Sequence, residues 1–129
     1  MHGEIRTGGC LCGRIRYTVR GPMRSVSLCH CGQCRKTSGY VWASAVAPRD
    51  AVEITGEVTW FRSSDAAERG FCNRCGASLF WRMDGEETQS VSLGSMDPPT
   101  ELTLEKHIWT AHKGDYYGIA DGLPQHAEN

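Results

Sequence analysis

Seven cysteines in a chain of 129 residues constrain the fold more than any other feature, because an odd number cannot all pair in disulfides within one chain. They fall in three groups: Cys10-Leu11-Cys12-Gly13, Cys29-His30-Cys31-Gly32-Gln33-Cys34 and Cys72-Asn73-Arg74-Cys75-Gly76. Tetrahedral zinc takes four soft ligands, and two short clusters from distant parts of a chain commonly supply them. The outer groups therefore predict one closed structural site of Cys10, Cys12, Cys72 and Cys75 that pins the first strand to a later hairpin. Gly13 and Gly76 follow these ligands at once and can adopt positive φ, which turns backbone N–H groups toward the thiolates.

Cys29, Cys31 and Cys34 remain. A C-x-C-x-x-C run can wrap one metal ion from a single loop and leave a coordination position open, which is the signature of catalytic zinc. The alternative is that a histidine closes the site. His30 is a poor ligand candidate, because in an extended segment it points opposite to Cys29 and Cys31. His107 and His112 could approach from the C-terminal stretch, whereas His2 and His126 sit in expected tails. A redox role for Cys31/Cys34 or Cys72/Cys75 would need a strand–helix–strand frame that the sequence does not display.

With 22% charged and 40% hydrophobic residues, the composition is that of one globular domain spanning residues 1–129, with an ordered core from about 4 to 124. A chain of this size buries only about two thirds of its unfolded surface, so a metal cross-link would help a thin core. The longest nearly apolar run, Val41 to Ala47, falls far short of the roughly 18 residues of a membrane span. Met1-His2-Gly3-Glu4 lacks the basic and apolar regions of a secretory signal. The cytoplasm is the expected compartment, where cysteines stay reduced. A formal net charge of -1 argues against a nucleic-acid-coating protein. The charge is nevertheless uneven: residues 1–40 carry seven Lys/Arg against one acid, and the remainder seven against fourteen. Such asymmetry fits either solvated strand faces or an anion-attracting site.

The segment Arg14 to Arg20 alternates Ile15, Tyr17 and Val19 with polar residues, predicting a half-buried strand that Gly21-Pro22 ends. Val26 to Cys31 alternates again, and Gly32 to Ser38 reads as a loop or a single helical turn. Further strands are expected over Tyr40–Ala47, Val52–Ile54, Val58–Phe61, Ala77–Arg82 and Gln89–Leu93, with turn residues between them. This regular spacing predicts a mainly β fold of short antiparallel sheets. After Asp97-Pro98-Pro99 the chain turns irregular, with Ile108, Trp109, Tyr116 and Tyr117 expected to cover a sheet face and a frayed tail after Pro124. Trp42, Trp60 and Trp81 read as core.

These segments resemble the glutathione-dependent formaldehyde-activating enzyme family, which also includes centromere protein V. The matching stretches are GCLCGRIRYTV from Gly9, SLCHCGQCRKTSG from Ser27, ITGE from Ile54 and FRSSDAAERGFCNRCGASLFW from Phe61, followed by SLGSMDPP from Ser92, HIWTAHK from His107 and DGLP from Asp121. The resemblance implies a β-tent fold, two zinc ions per chain and carbon–sulfur lyase chemistry of the S-(hydroxymethyl)glutathione synthase type. On this sequence Cys10, Cys12, Cys72 and Cys75 match the structural-zinc ligands, and Cys29, Cys31 and Cys34 the catalytic ones.

Zinc held by three thiolates suits binding a further thiolate better than making hydroxide. A small thiol entering that position, glutathione among the candidates, could add to formaldehyde or another small aldehyde, and the reverse step cleaves the carbon–sulfur bond. Arg35 and Lys36, directly after Cys34, are the expected contacts for a substrate carboxylate, or else a solvated basic turn. Thr37 and Ser38 could orient the aldehyde. A second class of function is a non-enzymatic, zinc-stabilised binding module. Membrane and nucleic-acid partners are not expected, since the basic stretch forms no single-strand-binding pattern.

Overall fold

The computed structural model describes residues 4–129. Strands β1 (Ile5–Gly9), β2 (Arg16–Arg20) and β5 (Val52–Thr55) form an antiparallel sheet in the order β1-β2-β5. The larger sheet holds β3 (Arg24–Cys29), β4 (Trp42–Pro48), β6 (Thr59–Arg62), β7 (Ala67–Phe71), β8 (Ser78–Met83), β9 (Thr88–Ser92) and β10 (Lys106–Ile108). Its order is β10-β3-β4-β9-β8-β7-β6, antiparallel throughout except for the parallel pair β10 and β3. Among the described residues a single α-helix, α1 (Gly32–Ser38), bridges β3 and β4, beside three short 3-10 turns. Among the described residues no helix is long and apolar enough to cross a membrane. The fold is mainly β, as expected, although the larger sheet is mixed rather than purely antiparallel.

Period-two alternation explains the core. In β2, Tyr17 and Val19 point inward and Arg16 and Arg20 outward. With Ile15 they meet Leu79, Phe80 and Val91 of the larger sheet in one buried cluster, and the Tyr17 and Phe80 rings meet edge-on at 5.4 Å. Each such side chain contributes about 1.5–3 kcal/mol by leaving water. Gly8 permits this packing, because a Cβ there would collide with the Ser95 carbonyl and the Tyr17 hydroxyl. Trp60 stacks near Phe80 and carries the Arg82 guanidinium 3.6 Å above its ring.

Several boundaries differ from expectation for physical reasons. Residues 14 and 15 belong to the turn before β2, and the segment 32–38 is a two-turn helix ended by Gly39 in the left-handed conformation. Strands β1, β7 and β10 have no strong sequence signal. β1 contains Gly8 and Gly9 and β7 contains Gly70, and glycine weakens a strand unless its neighbours supply the pairing. β7 is held on both sides, with Glu68 opposite Arg82 in register and ion-paired at 2.8 Å. The tail after Pro124 is not frayed: the His126 N–H donates to the His107 carbonyl at 2.9 Å and the Trp109 N–H to the Glu128 carbonyl at 3.0 Å. Ile108 and Trp109 do pack onto the second cysteine group, whereas Tyr116 is 60% exposed.

Candidate metal centres

The four outer cysteines sit on two matching turns. Between β1 and β2 the Cys10 N–H donates to the Ile15 carbonyl at 3.0 Å, and between β7 and β8 the Cys72 N–H donates to the Ala77 carbonyl at 3.1 Å. Gly13 and Gly76 both take φ +81°, as their positions predict. Backbone N–H groups reach the sulfurs, from Ile15 to Cys10 Sγ at 3.2 Å and from Arg74 to Cys72 Sγ at 3.4 Å. The Sγ atoms of Cys10 and Cys12 lie 3.6 Å apart, those of Cys12 and Cys72 3.8 Å, and all four within 4.8 Å of one another. A tetrahedron of sulfurs about 2.3 Å from a central zinc has edges of about 3.8 Å, so the spacing fits that ion. The Ala77 and Cys12 N–H groups draw the Cys75 thiol down to about 6. The Arg14 N–H favours a Cys12 thiolate, but the three neighbouring thiols outweigh it and push Cys12 up to about 11. Four ionised thiols at this spacing require a cation among them.

The second group is built from one connection. Cys29 is the last residue of β3, Cys31 caps α1 with its Sγ accepting from the Cys34 N–H at 3.4 Å, and Cys34 lies in the first helical turn. Their three Sγ atoms also lie within 4.8 Å of one another. The thiols of Cys29 and Cys34, with the Cys34 and Gln33 N–H groups, draw Cys31 down to about 2, while the thiols of Cys31 and Cys34, and then burial, push Cys29 up. A metal ion among the three sulfurs would hold them as thiolates. Among the described residues no fourth Cys, His, Asp or Glu atom joins the group.

Of the histidines that could have closed it, His107 is engaged elsewhere, and so is His30 between the thiols, whereas His112 is not among the ligand atoms that cluster with the three sulfurs. His30 is buried, with Nδ1 2.6 Å from the Tyr117 hydroxyl and Nε2 2.9 Å from His107 Nδ1, while His107 Nε2 lies 2.7 Å from Asp121 Oδ2. With both imidazoles neutral, one arrangement satisfies every atom: Tyr117 donates to His30, His30 to His107 and His107 to the Asp121 carboxylate. Burial, and then the neighbouring His107, hold His30 below the usual histidine range. His112 is exposed beside Trp109. The expectation that His30 points away from its flanking thiols is met.

A residue that the sequence reading did not single out stands against the second group. Arg69, on β7, is only 7% exposed, and its Nη2 lies 3.5 Å from Cys34 Sγ and 3.3 Å from Gln33 Oε1. The available signal was its spacing from Ala67, which puts both on the inner face of one strand. Trp42, Trp81, Ile108 and Trp109 make the apolar surround. Trp42 thus belongs to this group's packing, with its Nε1 donating to Ser78 Oγ at 3.0 Å.

The polar residues after Cys34 divide. The Thr37 hydroxyl donates to the Gln33 carbonyl at 2.8 Å, and that of Ser38 donates to the Cys34 carbonyl at 2.6 Å while accepting from the Tyr40 N–H at 3.1 Å. Both are committed to the end of α1, so neither is free to orient an aldehyde. Arg35 Nε donates to the His112 carbonyl at 3.3 Å, and Lys36 is exposed. The positive bias of residues 1–40 does not form one free patch, because Arg16 pairs with Asp97 at 2.6 Å and Arg20 with Glu53 at 3.1 Å. An open groove of about 720 Å³ runs beside Cys10 and Gly76 and touches the second group only through Trp42 and the end of α1.

Two cysteine groups, each of which could hold a metal ion, on an open mainly β frame define a class of cysteine-rich protein whose thiols are grouped as metal ligands are. More narrowly, the chain belongs to the glutathione-dependent formaldehyde-activating enzyme family, which it matches over residues 5–112. A Schizosaccharomyces pombe protein named as an uncharacterised lyase is 26% identical over 121 residues, which cover 88% of this chain and 85% of that one. The crystal structure of a Rhodobacter sphaeroides protein shares the fold, with a TM-score of 0.60 at 17% identity over 93% of this chain and 98% of that one. Family membership and the lyase relative together support a formaldehyde-activating or lyase-type function.

Proposed function

We propose that the chain is a cytoplasmic, zinc-dependent carbon–sulfur lyase-type enzyme that joins a glutathione-like thiol to formaldehyde or another small aldehyde, or releases it. One observation carries this reading: the first group offers four sulfurs, while the second offers three and its adjacent imidazole is held in another network. Four ligands saturate zinc structurally, whereas three leave it a place for substrate. Cys29, Cys31 and Cys34 would hold the zinc, which would supply the Lewis acidity that lets a thiol ionise at neutral pH.

The chain's own residues do the remaining work. Cys10, Cys12, Cys72 and Cys75 hold the structural ion and lock β1–β2 to the β7–β8 turn. Trp42, Trp81, Ile108 and Trp109 cover the inner side of the three thiols and keep bulk water from it. Arg35 and Lys36 stand on the solvent side of α1, where their charges suit the carboxylates of a glutathione-like substrate. In the addition, the thiol gives its proton to water, its sulfur bonds to the carbonyl carbon, the C=O π pair moves to oxygen, and that oxygen takes the proton back from water; release is the reverse.

Two-dimensional exchange NMR on glutathione and formaldehyde, with and without protein, measures how fast the S-hydroxymethyl adduct forms and breaks. Acceleration that Cys31→Ser abolishes supports the reading. Protein with full metal content that accelerates exchange of neither glutathione nor 2-mercaptoethanol would overturn it in favour of the binding module.

A further inference from the structure

The described residues contain one buried guanidinium that pairs with no carboxylate. Arg6, Arg16, Arg20, Arg62 and Arg82 each meet an acid, but the contacts of Arg69 are the Gln33 side-chain oxygen, Cys34 Sγ and, at 5.6 Å, the Trp42 ring. Its Nη1 is buried with no partner at all. An arginine cannot shed its charge, and a buried charge without a counter-ion is strongly destabilising. The fold tolerates Arg69 only if negative charge resides beside it, and the adjacent source is the thiolate group of Cys29, Cys31 and Cys34.

The two cysteine groups differ in this respect. Around Cys10, Cys12, Cys72 and Cys75, only backbone N–H groups hydrogen-bond a sulfur from outside the group, and the Arg16 guanidinium, which acts on Cys10 only through space, is itself paired with Asp97 at 2.6 Å. Four thiolates with one divalent zinc carry -2, and that group takes up nothing more. Three thiolates with zinc carry -1, and an anionic fourth ligand would bring them to -2 in a largely buried place. The arginine stands at the group that has charge still to gain.

We propose that Arg69 is a positioning residue that compensates the charge of the Cys29/Cys31/Cys34 centre so that its fourth position selects an anion over a neutral donor. The inference rests on the reading above for the open metal position, and it goes beyond it in naming what sets the kind of ligand admitted. With Arg69 counted, the centre is neutral at rest and -1 when an anion binds. Without it, the same binding builds -2 in a place that excludes water, where charge repulsion is poorly screened. Because Nη1 is enclosed, Arg69 acts through the field at the sulfurs and not by touching substrate.

The test uses the full chain loaded with cobalt(II), whose visible absorption reports the ligand set at each centre. Azide and 2-mercaptoethanol serve as anionic probes, the latter binding as thiolate and carrying no carboxylate for Arg35 or Lys36. Imidazole is the neutral probe. Arg69→Gln should weaken azide and 2-mercaptoethanol at least tenfold, about 1.4 kcal/mol, and leave imidazole unchanged, while the four-sulfur cobalt spectrum stays as in the parent. Arg69→Lys keeps the charge and should keep most of the preference for anions, and it carries the test if the glutamine variant does not fold. Equal weakening of all three probes, or no change in any, overturns the proposal. A parent that binds neither anion overturns it too. A parent that binds azide but not 2-mercaptoethanol, with azide lost in Arg69→Gln, keeps Arg69 in this role and refutes the thiol reading alone.

Discussion

Cys75→Ser and Cys31→Ser should separate the two cysteine groups by stability. Cys12 and Cys72 are 60 positions apart, so a metal gripping both closes a long loop in the unfolded chain. The chain-entropy relation for a cross-link gives about 4 kcal/mol at 25 °C for a loop of about 60 residues. Cys29 and Cys34 lie five positions apart, and the same relation gives only about 2 kcal/mol for so short a loop. The difference of about 2 kcal/mol corresponds to a gap of about 7 °C in Tm for a domain of this length. Cys75 and Cys31 are both partly exposed, so the serine itself costs little at either place and the metal dominates the comparison. Melting followed by circular dichroism, with metal content measured on the same samples, reads the result. Cys75→Ser should melt well below Cys31→Ser, each lacking one ion. Equal melts with equal metal loss would refute the argument that the first group cross-links distant strands while the second serves the open site.

Protein purified without chelator should hold two zinc ions per chain, and mild chelation followed by metal analysis should strip the three-sulfur centre first; one ion with three freely titrating thiols would contradict this. Arg35→Ala combined with Lys36→Ala should weaken glutathione binding about tenfold relative to 2-mercaptoethanol in calorimetry, since a charge-assisted contact contributes about 1.5–3 kcal/mol. The selectivity should shrink as salt rises, because exposed charges are screened. Tyr17→Phe removes a buried hydroxyl 2.6 Å from Ser95 Oγ and should cost about 1 kcal/mol in denaturant unfolding near neutral pH. Burial pushes Tyr17 up to about 12 in the folded protein, against about 10 unfolded. The parent's advantage over the phenylalanine variant is therefore full below pH 10 and should narrow as pH rises toward 12.

The cysteine partition was legible because ligand spacing is a local property: the two- and three-residue separations inside each group limit which sulfurs can face one ion. Gly13 and Gly76 were legible for the same reason, each next to a ligand where the chain must turn back. Strands with strong alternation, such as β2, were also plain. β7 was not, because AERGF contains a glycine and two charged residues, and its strand state comes from pairing with β6 and β8. The C-terminal tail was misjudged because its order comes from hydrogen bonds to the segment around β10 and not from its own composition.

What the sequence determined by itself is the supply of chemistry: seven thiols in a four-plus-three arrangement, a mainly β chain, and a resemblance extending over most of its length. Tertiary structure alone decided how that chemistry is surrounded. It placed Arg69, 35 positions from Cys34, at hydrogen-bond distance from its sulfur. It also drew His30 and His107, 77 positions apart, into a network with Tyr117 and Asp121 that keeps both imidazoles from the three thiols. Such contacts depend on which strands pair and in which register. A one-residue slip would turn Arg69 to the opposite face, and that register is set by burial across the whole sheet.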